Sequence, residues 1–379
     1  MLGVETTRRR FLTRGLAGFA TAGIAGWRLS VVRGETVAPS SDQMIDKALA
    51  FLRPRQDAKG GWSTQREPGI TALVVTALLR SGRVTPGDPM VTKALKYLEG
   101  FIGPKGGLSE APHANYTTAI ALVAFQQANV NKRYDRVIKA GQDFLKTMQW
   151  DEGEGKSRED AFYGGAGYGG GHSRPDLSNT AFFIESLRET GLPANDPNLQ
   201  KALVFVSRCQ NLRSEFNDQA WAGKVNDGGF IYTAAEGGVS VAGKDTGGGL
   251  RSYASMTYAG LKSMIYAGLT REDPRVKAAL NYITHHYSLD ENPGLGQVGL
   301  YYYYHTFAKT MSVLETPTIT DAAGASHDWR TELAEALAKR QQPDGSWVNR
   351  SDRFMEGDPN LVTAYALLAL AYTRPKTKD

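Results

Sequence analysis

The sequence predicts an all-α chain whose helices pair into six repeats and close as an (α/α)6 toroid. Three observations predict it. A two-segment unit recurs about every 45–70 residues beyond residue 40. Its apolar residues follow helical spacing, as Leu199, Leu203 and Val206 do, and no sustained alternation with β-branched residues appears. In each unit one segment keeps a polar face and the other is apolar almost all round. A helix apolar on every side must be buried, so two concentric layers follow. Closing the ring removes the ends that an open solenoid, the alternative, would have to cap.

Residues 1–38 stand apart from the repeats. They hold Arg8, Arg9, Arg10, Arg14, Arg28 and Arg33 against Glu5 and Glu35, so they supply +4 of the net +5. The remainder is near neutral and lacks the basic stripe that nucleic-acid binding needs. Thr7-Arg8-Arg9-Arg10-Phe11-Leu12-Thr13 resembles a twin-arginine export signal. The uncharged stretch that follows, Gly15 to Trp27, is 13 residues long. As a helix it spans about 20 Å, short of the ~30 Å hydrocarbon core. The expectation is a removed signal, not a membrane span, and a periplasmic or secreted mature protein over residues 39–379. A basic tail is the other reading.

The repeats follow in order. The first pairs Met44–Leu52 with Ile70–Leu79, and the second Val91–Ile102 with Tyr116–Gln127. The third pairs Tyr134–Met148 with Leu177–Glu189, and the fourth Leu199–Cys209 with Tyr253–Tyr266. The fifth pairs Val276–His286 with Tyr301–Leu314, and the sixth Trp329–Arg340 with Leu361–Tyr372. Asp-Pro pairs at 88–89, 196–197, 273–274 and 358–359 mark helix starts: the Asp caps free amides, and Pro suits the first helical position. Cys209 is the one cysteine, so neither a disulfide within the chain nor a Cys-rich zinc site is available.

Gln56-x-x-x-Gly60-x-Trp62 and Gln341-x-x-x-Gly345-x-Trp347 resemble the "QW" repeat of squalene and terpene cyclases. The resemblance implies one toroid of the superfamily that also holds the protein prenyltransferases. The chain is too short for a two-toroid triterpene cyclase. Proton-initiated cyclases of that family carry Asp-x-Asp-Asp-Thr-Ala, the middle Asp being the acid. Here Asp176-Leu177-Ser178-Asn179-Thr180-Ala181 stands in the equivalent context, with Ser178 in place of the acid and Asn179 in place of its neighbour. An alkene is a very weak base and needs an undissociated acid in a dry site. A serine hydroxyl cannot serve. Asp176 remains, but at a helix N-terminus its anion is favoured, which makes it a worse acid; it also reads simply as an N-cap. Tyr304-His305-Thr306 resembles the surroundings of the prenyltransferase zinc-ligand His. The matching Cys position is Ser178, so zinc is disfavoured and no metal or cofactor is expected. His305 then reads as a hydrogen-bonded core or cavity residue.

Two further patterns fail their context. Gly165-Ala166-Gly167-Tyr168-Gly169-Gly170 follows no strand, so it is no dinucleotide loop. Gly155-Lys156-Ser157 has Trp150 where a phosphate loop needs its first glycine.

What remains is a rim. Glycine-rich loops at 164–171, 228–229, 237–249 and 294–299 precede inner helices, whose N-termini converge with free N–H groups. Below them the expected wall includes Tyr116, Phe182, Tyr253, Tyr258, and one or two of the run Tyr301, Tyr302, Tyr303 and Tyr304, with Tyr301 and Tyr304 chosen. An aromatic-lined pocket suits isoprenoid chains, carbocations or sugar rings. Polar candidates near the rim are His172, Arg174, Asp176, Asn179, Asp227, Glu236, Asp245, Arg251 and His305. Asp176 with Asp227 is a candidate carboxylate pair for glycoside chemistry, although Asp227 also reads as a turn residue. The leading expectation is a cyclase-like protein binding an isoprenoid or other apolar ligand, with the usual acid lost. An extracytoplasmic carbohydrate-active enzyme and a non-catalytic scaffold are the alternatives.

Overall fold

The structure is a computed structural model that describes residues 39–64, 68–108, 113–169 and 173–374. The export-signal expectation for residues 1–38 lies outside them, as does His172. The helices are α1 (Ser41–Leu52), α2 (Pro68–Arg80), α3 (Pro89–Glu99), α4 (Ala114–Gln127), α5 (Asp135–Lys146), α6 (Leu177–Glu189) and α7 (Pro197–Arg208). They continue with the short α8 (Ala222–Val225), then α9 (Ala254–Tyr266), α10 (Pro274–His285), α11 (Leu300–Val313), α12 (Trp329–Ala338) and α13 (Pro359–Thr373). The described strands are β1 (Ile319–Thr320) and β2 (Ser326–His327), an antiparallel pair with Ile319 opposite His327. This hairpin joins α11 to α12 and has no counterpart in the sequence reading.

Six helices form an inner ring. α2 packs on α4, α4 on α6, α6 on α9, α9 on α11, α11 on α13, and α13 returns to α2. The ring is closed, and the open-solenoid alternative is excluded. Inner helices are buried nearly all round; α13 exposes none of the residues from Asn360 to Leu370. The outer helices α1, α3, α5, α7, α10 and α12 bury one face only. Four lean on a single inner neighbour, α3 on α2, α5 on α4, α10 on α9 and α12 on α13; α1 also rests on α13, and α7 sits between α6 and α9. The four Asp-Pro starts behave as their chemistry requires. Asp88, Asp196, Asp273 and Asp358 each accept from the amide two residues on, at 2.9 Å.

One hydrogen-bond device repeats around the ring. The Gln56 amide donates to the Gly60 carbonyl at 2.9 Å and to Met90 O of α3 at 2.8 Å. Gln149 and Gln210 do the same toward α7 and α10. Gln341 completes the circle by reaching Met44 O of α1 at 2.9 Å. Trp62 and Trp347, both fully buried, donate from the indole to Leu52 O and Leu337 O at 2.9 Å. Each loop is then pinned inward by a threonine of an inner helix. Thr71, Thr118, Thr180, Thr257 and Thr363 accept from loop amides at 2.8–3.1 Å.

The turn glycines permit this close approach. A Cβ on Gly345 would lie 2.3 Å from Lys47 O, and its φ is +90°. The second repeat has the threonine but no glutamine, and the fifth has neither bond. There the buried carboxylate of Glu356, borrowed from the next loop, accepts from the first amides of α11, Tyr301 N at 3.0 Å and Tyr302 N at 2.8 Å.

Candidate functional site: an aromatic cavity under the inner-helix N-termini

A cavity of about 230 Å³ opens at the end of the ring where the inner helices begin. All six inner helices reach it from their N-terminal halves, through Ile70, Tyr116, Ser178, Ser255, Tyr302 and Leu361. The volume exceeds the ~150 Å³ that holds a benzene in an engineered core. Its walls form a continuous aromatic belt. Tyr168 lies 6.1 Å from Tyr116, Tyr116 5.3 Å from Phe182, Phe182 6.2 Å from Tyr302, and Tyr302 6.0 Å from Tyr365, centroid to centroid.

Tyr168 and Phe354 stand at the mouth, 39% and 50% exposed. Phe354 and Met355 are both held at φ 64°, a left-handed conformation that costs an ordinary side chain of the order of 1 kcal/mol per residue. Glu356, next in the chain, anchors that strained segment through its bonds to α11 and to the Asn349 amide at 2.6 Å.

Ser178 faces the cavity, its hydroxyl 3.0 Å from that of Tyr302. Asp176 does not line it. Its buried carboxyl caps α6, accepting from Asn179 N at 2.9 Å and from the Asn179 side chain at 2.7 Å. The Tyr232 hydroxyl, on the cavity side, donates to it as well. Burial pushes Asp176 up to about 6, although the bonds from Asn179 and Tyr232 favour the anion. The expectation that its helix N-terminus makes it a weaker-than-usual proton holder is therefore corrected: desolvation outweighs the cap.

Several predicted site residues lie elsewhere. Asp227 holds a turn, accepting from Gly229 N at 2.9 Å and from the Ser252 hydroxyl at 2.7 Å, and it is absent from the cavity wall. Arg174 pairs with Glu236 on the exposed rim at 2.9 Å. Arg251 is exposed in the 237–252 loop, its backbone amide bonded to Gly243 O. Asp245 folds its own loop by accepting from Gly247 N and Gly249 N.

Tyr253 lines the cavity, but Tyr258, Tyr301 and Tyr304 do not. Tyr258 packs against Tyr303 and Phe307. The Tyr304 hydroxyl binds Leu289 O, and Tyr301 turns toward Tyr304. The phase of α11 decides this: Tyr302 points inward, and its neighbours at about 100° on either side face between layers. His305 follows Tyr302 one turn deeper. It stacks on Tyr365 at 5.7 Å, its Nδ1 lacks a hydrogen-bond partner, and burial holds it down to about 3, so the ring is neutral.

The sequence reading missed Tyr168, Tyr232, Phe354, Met355 and Tyr365 in the wall. Four of them sit in loops with no periodicity to place them. No Asp or Glu among the described residues lines the cavity. No cluster of three or more metal-ligating side chains occurs among those residues either.

With this geometry in place, comparison with known proteins shows an α/α toroid shared by proteins of more than one chemistry. The type II terpene cyclase MstE from Scytonema matches with a TM-score of 0.53 at 13% identity, over 88% of this chain and 98% of that one. In complex with merosterolic acid A, its product, the same cyclase gives 0.54 at 14% identity over 88% and 96%. A glycosyl hydrolase of family 88 from Bacteroides vulgatus gives 0.51 at 10% identity over 88% and 99%. At such identities the likeness establishes the fold. No protein-family profile and no curated protein sequence matches the chain.

Proposed function

We propose that the chain is an exported, terpene-cyclase-like toroid that binds an isoprenoid or other apolar molecule in the aromatic cavity. The observation that carries the reading is the unbroken belt from Tyr168 through Tyr116, Phe182 and Tyr302 to Tyr365, around a space without a described carboxylate. Aromatic faces stabilise apolar chains by contact and cationic intermediates through their quadrupoles. The neighbouring cyclase is described with geranylgeranyl dihydroxybenzoate as its substrate, which supports an isoprenoid over other apolar ligands. Ser178 stands where the cyclase motif has its acid, so the usual alkene protonation is not assigned to this chain. Export rests on the twin-arginine pattern at Arg8-Arg9-Arg10-Phe11-Leu12.

The carbohydrate reading has the fold in its favour, through the family 88 neighbour. It lacks the pair of carboxylates in the described wall that glycoside hydrolysis uses. The test is mass spectrometry of organic extracts of the native protein, followed by thermal-shift titration with geranylgeraniol and squalene. A retained polyprenyl molecule is expected, with binding weakened at least about tenfold in Phe182→Ala and Tyr302→Ala, each removing over 1.4 kcal/mol of contact. No extracted apolar molecule and no shift with either isoprenoid would defeat the reading.

A further inference from the structure

The opposite end of the ring carries a feature of different chemistry. There the inner helices end, and a second cavity of about 390 Å³ opens between α2, α4, α6, α11, α12 and α13. Its base is a buried ion cluster. Arg80 pairs with Glu189, Lys309 with Glu189 and, at 3.5 Å, with Glu185, and Lys262 with Glu185. The Arg80 side chain is 12% exposed, Lys309 6% and Lys262 3%. Burial alone would raise Glu185, but Lys262 and Lys309 hold it well below the usual carboxylate range, so it is an anion. Tyr266 and Tyr372 beside the cluster are pushed up by burial, and His305 above it is neutral.

Three cations, the buried Lys262 and Lys309 and the partly buried Arg80, thus meet two carboxylates. Two more cations, Arg330 and Arg374, line the same mouth. Arg374 donates to Ser81 O at 2.6 Å and lies 3.6 Å from Asp42, which Arg83 also approaches at 3.4 Å while pairing with Asp46 at 2.9 Å. Buried charge left without a counter-charge is costly. The negative ends of the inner-helix dipoles offset part of that cost. They do not account for Arg330, which lines the open mouth opposite the Arg80–Lys309 base with Arg374 beside it.

We propose that this mouth binds a phosphate-type oxyanion, with Arg330 and Arg374 at the entrance and Arg80 and Lys309 at its base. Arginine forks match phosphate oxygens in pairs, and the lysine supplies a point charge behind them. The site lies at the other end of the ring from the aromatic cavity and does not depend on what that cavity holds. The group can come from a free phosphate or diphosphate, or from a phospholipid headgroup.

The test uses the whole protein at constant ionic strength. Sodium phosphate and sodium diphosphate are titrated against melting temperature. Phosphatidylglycerol vesicles, with phosphatidylcholine vesicles as control, are used for co-sedimentation. Binding to either free anion is expected to raise the melting temperature by about 2–4 °C or more near saturation. Co-sedimentation with phosphatidylglycerol alone would assign the headgroup as the source. In the variant Arg330→Gln with Arg374→Gln, which leaves the buried pairs intact, both responses should fall at least about tenfold in affinity. No response from either free anion and none from the vesicles overturns the proposal. An undiminished response in the double variant overturns it equally.

Discussion

The hydroxyls of Ser178 and Tyr302 meet at 3.0 Å and join α6 to α11 at the cavity wall. Replacing Ser178 by Asp would set a carboxyl beside the Tyr302 hydroxyl in an enclosed aromatic space. Desolvation there favours the protonated acid. Incubation of Ser178→Asp with squalene or geranylgeraniol is expected to give cyclised hydrocarbon, detected by gas chromatography with mass spectrometry. Wild type is expected to give none. Product from neither protein would show that the cavity lacks more than the acid.

Asp176 makes the fold sensitive to pH in a defined direction. Its folded pKa of about 6 lies above its ordinary 3.8, so the folded chain keeps a proton that the unfolded chain loses between about pH 4 and 6. Its stabilising contribution is full below that window and is lost as pH rises through 6. The two-unit shift corresponds to the order of 3 kcal/mol. Asp176→Asn keeps an N-cap oxygen and removes the titration. Urea denaturation from pH 4 to 7 should show the decline in wild type and a flatter profile in Asp176→Asn.

Gly345→Ala should cost more than Gly155→Ala, although both residues have positive φ. Gly155 has open space around it, so only backbone strain of about 1 kcal/mol is lost. Gly345 has Lys47 O in the way at 2.3 Å. A loss of about 2–4 kcal/mol is expected as the last repeat is forced off α1. Equal melting temperatures for the two variants would contradict the tight contact.

Glu185→Gln should destabilise by about 3–5 kcal/mol, since Lys262 and Lys309 would keep their buried charges with one carboxylate fewer. Adding Lys262→Met removes one stranded charge, and a double-mutant cycle should recover a large part of the loss.

The ring itself was legible in the sequence because each inner helix is apolar through a full turn, as in Ala364-Tyr365-Ala366-Leu367-Leu368. The Asp-Pro caps were legible for the same local reason. The cavity wall was only half legible. Tyr116, Phe182 and Tyr253 were found from their place just inside inner-helix starts. Tyr302 was displaced in favour of Tyr301 and Tyr304, because four identical residues conceal the phase of a helix. Tyr168, Tyr232 and Phe354 were missed because loops carry no period. The ion cluster has a signal in the sequence: Glu185, Lys262 and Lys309 each follow an apolar or aromatic stretch within an inner helix. Asp176 is legible as a cap, but local sequence cannot show how deeply that cap is buried.

The seam between the last repeat and the first has a consequence for how the chain comes into being. Gln341 is bonded to Met44 O, and Asn360 to the Ser63 hydroxyl at 3.0 Å, so contacts 297 residues apart in the chain complete the circle. A helix pair emerging early from the ribosome finds a partner on one side only. The first pair must wait, with its apolar flank uncovered, until α13 has been made. Assembly is then governed by its slowest and longest loop closure, and the unfinished chain offers chaperones a surface that the finished one does not. A pathway that exports only folded protein would meet a natural checkpoint at that seam.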